Sequence, residues 1–237
     1  MNLARRIMMA RRMCDTSDCD PYWGNVVLLL KGDGPDGSTN IIDSSVNSHS
    51  VTVYEDARIK ATQSKFGDSS LYFDGTGDYM SVVSPYLALG TDDFTVETWF
   101  YIDGSLRSNG LFHLAASVLP GTVSGISLGL QDNAAGNVVA YWNGTWASSG
   151  IAPTNFQWNH VAMVRNSGNG KVYLNGQSIM SFSDPANYAD TALTIGAWHS
   201  VPNAMKGYLD DFRITKGVAR YTTNFTPPTE PFPTTGP

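Results

Sequence analysis

The sequence predicts an all-β chain, a two-sheet antiparallel sandwich of jelly-roll type. Three observations carry this. About a dozen short strand-like runs recur at intervals of roughly 8–15 residues, with turn residues between them. No segment sustains a long 3.6-residue apolar period. Charged residues make up only 15% of the chain, against about 25% in an average globular protein, while 23 glycines and 12 prolines supply turn chemistry.

Residues 1–22 read as a basic arm. Leu3, Ile7 and Met8 are spaced for one face of a short helix, with arginines on the other. About 12 residues is marginal for an isolated helix in water, so the alternative is a frayed terminus. Val26–Lys31 is a continuous apolar run of buried-strand type. Ser70–Phe73 and Asp78–Val82 flank Asp74-Gly75-Thr76-Gly77, read as a hairpin loop. Phe94–Ile102 alternates, with Phe94, Val96, Thr98, Phe100 and Ile102 toward a core. Thr95, Glu97, Trp99 and Tyr101 then share the opposite face, expected to be exposed or groove-lining. Further strands are expected at Leu111–Ala115, Gly125–Leu130, Val138–Trp142, Trp158–Arg165, Lys171–Leu174, Ser178–Phe182, Ala192–Ala197 and Gly207–Thr215. Asn-Gly at 109–110, 143–144, 169–170 and 175–176 marks four candidate hairpin turns, because both residues tolerate positive φ. Lys216–Tyr221 reads as one helical turn. Residues 226–237, with five prolines, read as an extended tail. The expected organisation is arm 1–22, sandwich 23–225 and tail 226–237.

The net charge is −6. Residues 1–12 hold Arg5, Arg6, Arg11 and Arg12 and no acid, so the rest carries 11 basic and 21 acidic residues. Such an acidic body does not attract nucleic acid through its field. The apolar run Ile7–Ala10 is too short for a secretory core of about 7–15 residues. No stretch approaches the ~20 apolar residues of a membrane span. The reading therefore expects no signal peptide, no membrane and no nucleic acid. Cys14 and Cys19 can bridge across a short loop or remain free thiols.

With these elements in order, a family resemblance is carried by Lys65-Phe66-Gly67-Asp68-Ser69-Ser70-Leu71-Tyr72-Phe73-Asp74-Gly75 and by Asp93-Phe94-Thr95-Val96-Glu97-Thr98-Trp99-Phe100. Trp158–Arg165 with Val172–Gly176, Leu193–Gly196 and Gly207–Ile214 add the later pieces. The set resembles a concanavalin A-like, laminin-G-like lectin/glucanase domain over residues 25–215. Val27–Gly34, Asp43-Ser44-Ser45 and Ile214–Pro233 are similar to versions of this domain in tailed-phage virion proteins. That resemblance implies a virion location after synthesis in a host cytoplasm, with other capsid or tail proteins as partners through arm and tail. By the same analogy it implies a homo-oligomer, such as a trimer.

Four kinds of site follow. Asp33 and Asp36 lie in a Gly-rich loop after the first core strand, Asp43 follows, and Asp210 and Asp211 lie on the last. If first and last strands are neighbours, these carboxylates suit a structural Ca²⁺, which takes 6–8 oxygens; the resemblance points the same way. Otherwise Asp33 and Asp36 cap a turn and Asp211 pairs with Arg213 or Arg165. Trp142, Asn143 and Trp146 around one turn, with Trp198 and His199 at another loop, suit a glycan, whose apolar faces stack on exposed rings; alternatively Trp142 fills the core. Glycosidase chemistry needs two carboxylates about 5–9.5 Å apart, and beside Glu97 the strand offers no second acid at that spacing before Asp103. Arg5, Arg6, Arg11 and Arg12 are candidate anchors. The expected function is thus a non-catalytic structural virion protein, a capsid decoration or tail appendage, whose lectin-like domain binds host glycan. A dedicated receptor-recognition protein is the alternative, and a glycan hydrolase stands last.

Overall fold

The computed structural model describes residues 19–104, 109–115, 125–131, 136–198 and 204–237. Fifteen strands among them form two antiparallel sheets packed face to face. The strands are β1 (Val26–Leu30), β2 (Thr52–Tyr54), β3 (Arg58–Lys60), β4 (Ser70–Asp74), β5 (Tyr79–Val83), β6 (Phe94–Ile102), β7 (Gly110–Leu114) and β8 (Ile126–Leu130). They continue as β9 (Val138–Trp142), β10 (Thr145–Ser148), β11 (Trp158–Asn166), β12 (Asn169–Leu174), β13 (Gln177–Ser183), β14 (Ala192–Ile195) and β15 (Lys206–Lys216). One sheet runs β13-β12-β11-β6-β15-β4-β3, with β1 also on β15. The other runs β10-β9-β8-β7-β14-β5-β2.

The core lies between the sheets and follows from period-two alternation. Phe94, Val96, Phe100 and Ile102 of β6 face Phe112, Leu114, Ile126 and Leu128 of the other sheet within one buried cluster. β15 is too long to alternate without a correction, and a β-bulge between Asp210 and Arg213 supplies it. Asp211 is the extra residue, at φ 49°. The bulge keeps Leu209, Phe212 and Ile214 all inward while Tyr208, Asp210 and Arg213 stay outward.

Three local expectations are corrected. Asp74–Gly77 is not a hairpin loop, because β4 and β5 belong to different sheets. The Asp78 carboxylate accepts the Asp74 and Asp56 N–H groups at 2.7 Å each and turns the chain across the core. Among the Asn-Gly pairs, 143–144 and 175–176 do turn hairpins. Gly110 instead begins β7, and Asn169-Gly170 lies inside β12, because Ser167 and Gly168 already take positive φ. Gly170 has a different reason: a Cβ there would sit 2.0 Å from the Phe182 ring. Lys216–Tyr221 forms no helical turn.

Residues 217–235 form a strap instead. It crosses the outer face of the eight-stranded sheet from β15 to the β12–β13 hairpin, where Phe225 N donates to Gly176 O at 3.0 Å. It then returns to β1, where Phe232 packs on Val26 and Leu29. Asp20 N donates to Thr235 O at 2.9 Å, so the chain enters beside the strap's end.

Candidate functional site

The two outer faces carry the sites predicted from the sequence. On the eight-stranded sheet, alternation turns Glu97 outward as expected, but the strap covers it and it is fully buried. Its Oε1 accepts Arg213 Nε at 3.0 Å and Nη2 at 2.7 Å, and its Oε2 accepts the Tyr221 hydroxyl at 2.8 Å. His160 Nε2 lies 3.3 Å away. Asp20 completes the cluster, bridging Arg213 at 3.0 Å and Arg220 at 2.6 Å. Burial alone would raise the Glu97 pKa. The Arg213 guanidinium, the His160 contact and Arg220 outweigh it and hold the carboxyl well below its usual range. A carboxylate locked in the ionised form and sealed from solvent cannot act as a glycosidase acid.

The aspartates predicted for calcium divide into separate tasks. The strand adjacency expected for them is real, since β1 pairs with β15. Asp43 accepts Leu29 N, Ser45 N, Ser45 Oγ and His49 N at 2.8–3.0 Å, which ties the loop after β1 to the strand itself. Asp36 accepts Ala61 N. Asp211 pairs with Lys31 at 3.0 Å rather than with either arginine. Asp210 accepts Lys65 N at 2.7 Å and Phe66 N at 3.1 Å. Burial, with Asp211 and Asp33 nearby, pushes its pKa up to about 7 against those two donors. Burial likewise raises Asp33, with Lys31 opposing. Among the described residues, no three acidic, His or Cys side chains gather as a metal-holding group.

On the seven-stranded sheet the tryptophans part company. Asn143 and Gly144 make a two-residue turn, so β9 and β10 pair Trp142 with Thr145 and Tyr141 with Trp146. Trp142 therefore faces inward and stacks on Phe182, centroids 3.8 Å apart at 20°. Trp146 faces outward, 45% exposed, beside Tyr141 and 4.7 Å from the Trp198 ring. Trp198 can lie against β8 only because Gly129 is there: a Cβ would meet the indole at 2.5 Å. Gly110, its cross-strand partner, leaves room for the Trp198 backbone in the same way. Outward positions continue the surface in register as Tyr141, Ser127, His113, Thr194 and Ser81. His113 Nδ1 and Ser127 Oγ are 2.6 Å apart.

The structure thus joins Trp146 and Trp198, sends Trp142 to the core side and leaves Asn143 exposed in the turn. Tyr141 is a member the residue pattern alone had not singled out. The signal was available, since a two-residue turn pairs 141 with 146. His199, Cys14, Arg5, Arg6, Arg11 and Arg12 lie outside the described residues.

A two-sheet sandwich with one outer face partly covered by a strap and aromatic rings standing on the other defines a lectin-like β-sandwich. The chain belongs to the concanavalin A-like lectin/glucanases superfamily, whose family model matches residues 74–220. No curated protein sequence matches. Among solved structures, the chain is similar to domain 4 of AbnA, a GH43 extracellular arabinanase from Geobacillus stearothermophilus, solved with arabinotriose. The TM-score is 0.62 at 17% identity, covering 82% of this chain and 94% of that one. It is also similar to the binding domain of Paraclostridial Mosquitocidal Protein 1 (TM-score 0.62, 15% identity, 82% and 49% covered). The binding domain of botulinum neurotoxin DC, solved with SialylT, gives 0.58 at 16% identity, with 81% and 48% covered. This chain spans about half the length of the two toxin domains. At these identities the likeness concerns the fold.

Proposed function

We propose that this chain is a non-catalytic carbohydrate-binding module that contacts glycan through Trp146 and Trp198. The carrying observation is that pair: two indoles 4.7 Å apart on an outward sheet face, one of them 45% exposed. Exposed rings accept the apolar faces of sugars, while Asn143 in the adjoining turn and the half-buried Thr194 and Ser81 further along the sheet offer hydrogen-bonding partners. The sugar complexes of the similar arabinanase domain and toxin domain support this reading. A glycan array probed with the purified chain tests it. Binding of at least one glycan that disappears in Trp146→Ala is expected; an array with no bound glycan overturns it.

Its setting is proposed to be a tailed-phage virion, as a capsid decoration or tail appendage held by the basic arm. The support is the likeness of Val27–Gly34 and Ile214–Pro233 to virion modules and the four arginines of residues 1–12. Removing residues 1–18 tests the anchor while sparing Asp20, which the sandwich needs. Loss of incorporation into particles is expected, and normal incorporation removes the anchor from the reading.

A further inference from the structure

The strap covers only part of the eight-stranded sheet. Beyond Glu97 the same face continues into four aromatic residues in one cross-strand register. Trp158 of β11 opposes Tyr101 of β6, Tyr101 opposes Tyr208 of β15, and Tyr208 opposes Tyr72 of β4. Arg58 of β3 follows in the same line. Successive ring centroids are 5.8, 5.9 and 5.0 Å apart. The row spans three strand spacings, about 14 Å. Trp158, Tyr101 and Tyr72 are half-buried, and Tyr208 lies deeper between them.

These are outward positions, where a sheet facing water ordinarily carries polar side chains. The rings pack on one another, Tyr101 and Tyr208 edge to face and the other pairs tilted, which stabilises the sheet. Packing alone does not explain why three of the four bear hydroxyls, or why the row ends at cations. Lys60 Nζ stands 4.8 Å from the Tyr72 centroid and the Arg58 guanidinium 5.5 Å from it. Thr62 Oγ1 reaches the Tyr208 hydroxyl at 3.1 Å. Asp74, two residues along β4, faces the same way as Tyr72. A rim of both charge signs offers no field to a polyanion or a polycation. A row one side chain wide is far below the ~800 Å² per partner of a stable protein interface. What remains is a ligand with apolar faces and hydroxyl edges.

We propose that the Trp158–Tyr101–Tyr208–Tyr72 row is a second binding site, for a linear neutral oligosaccharide laid across the strands toward Arg58 and Lys60. It is independent of the Trp146–Trp198 surface, which lies on the other sheet. Titration calorimetry of the full chain with maltohexaose, cellohexaose and arabinohexaose tests it. At least one is expected to bind. Tyr72→Ala should weaken that binding about tenfold, the loss of one ring contact. Tyr72→Phe should weaken it less, and Trp146→Ala should leave it unchanged. If Tyr72→Ala loses its thermal transition, Lys60→Ala and Tyr72→Phe decide in its place. Three binding results overturn the site: no binding of the three sugars at about 1 mM, unaltered affinity in the row variants, or a loss confined to Trp146→Ala. The last leaves the first site standing. A dimer in sedimentation that dissolves in Tyr72→Ala would assign the row to a second copy, and equally overturns it.

Discussion

Two regions of the eight-stranded sheet's outer face meet the same difficulty with different means. Around Glu97 the strap shuts out water, and the face becomes a second interior. Tyr221 and Phe225 stack at 3.6 Å over His160 and Tyr173, and four charged groups are buried together. Around Tyr101 no strap arrives, and the face keeps half-exposed rings with hydroxyls. The first region pairs its charges internally and has no surface left to offer a ligand. The second has unspent surface. Outward orientation therefore does not by itself make a site: what the chain later lays over a residue decides whether it is core or contact.

Breaking the sealed region should give the largest effect. Arg213→Ala leaves Glu97 and Asp20 buried beside a single remaining cation, Arg220. A loss of about 3–5 kcal/mol in unfolding free energy is expected by denaturant titration, and a loss under 1 kcal/mol would show that water reaches the cluster. Phe225→Ala should cost less, about 2–3 kcal/mol, because the ring is only half-buried. It should also speed proteolysis of the strap, which sharpens the contrast between lid and sheet.

A smaller effect is expected of Asp210, at the border between the regions. Its folded pKa of about 7 exceeds the unfolded value near 3.8. Between these the folded state holds a proton that the unfolded state has lost, so stability should fall as pH rises from about 4 to 7 and level off above. Asp210→Asn keeps an oxygen for the Lys65 and Phe66 N–H groups and removes the charge. Its melting temperature should overtake that of the parent as pH passes from 5 to 8. Calcium held at this edge would reverse the outcome: the parent would be stabilised by added Ca²⁺ and the variant would not. The smallest effect on stability belongs to Trp146→Ala, under about 1 kcal/mol for an exposed ring, with glycan binding at the Trp146–Trp198 surface lost. A large drop in melting temperature there would make Trp146 structural.

Much of this was legible in the residues. The alternation of Phe94–Ile102 marks which side chains enter the core, and all twelve anticipated strands exist within a residue or two. The strands that escaped, β2, β3 and β10, are three or four residues long and hold one buried residue between them, Ile59, so they carry little hydrophobic pattern. Asn175-Gly176 turns a hairpin because nothing nearer competes; Asn169-Gly170 does not, because Ser167-Gly168 turns first. Trp142 and Trp146 look equivalent in sequence, and only pairing across the turn sends one inward and one out.

The order of apolar and polar residues was enough to determine the sandwich, its core and its outward positions, since a strand's period of two is a local property of the backbone. The fate of those outward positions was decided by contacts far apart in the chain. Arg213 meets Glu97 and Asp20 across 116 and 193 steps of sequence, and four aromatics fall into line only once β11, β6, β15 and β4 are adjacent. No local pattern encodes such meetings, because they depend on which strand lies beside which and on where the strap crosses.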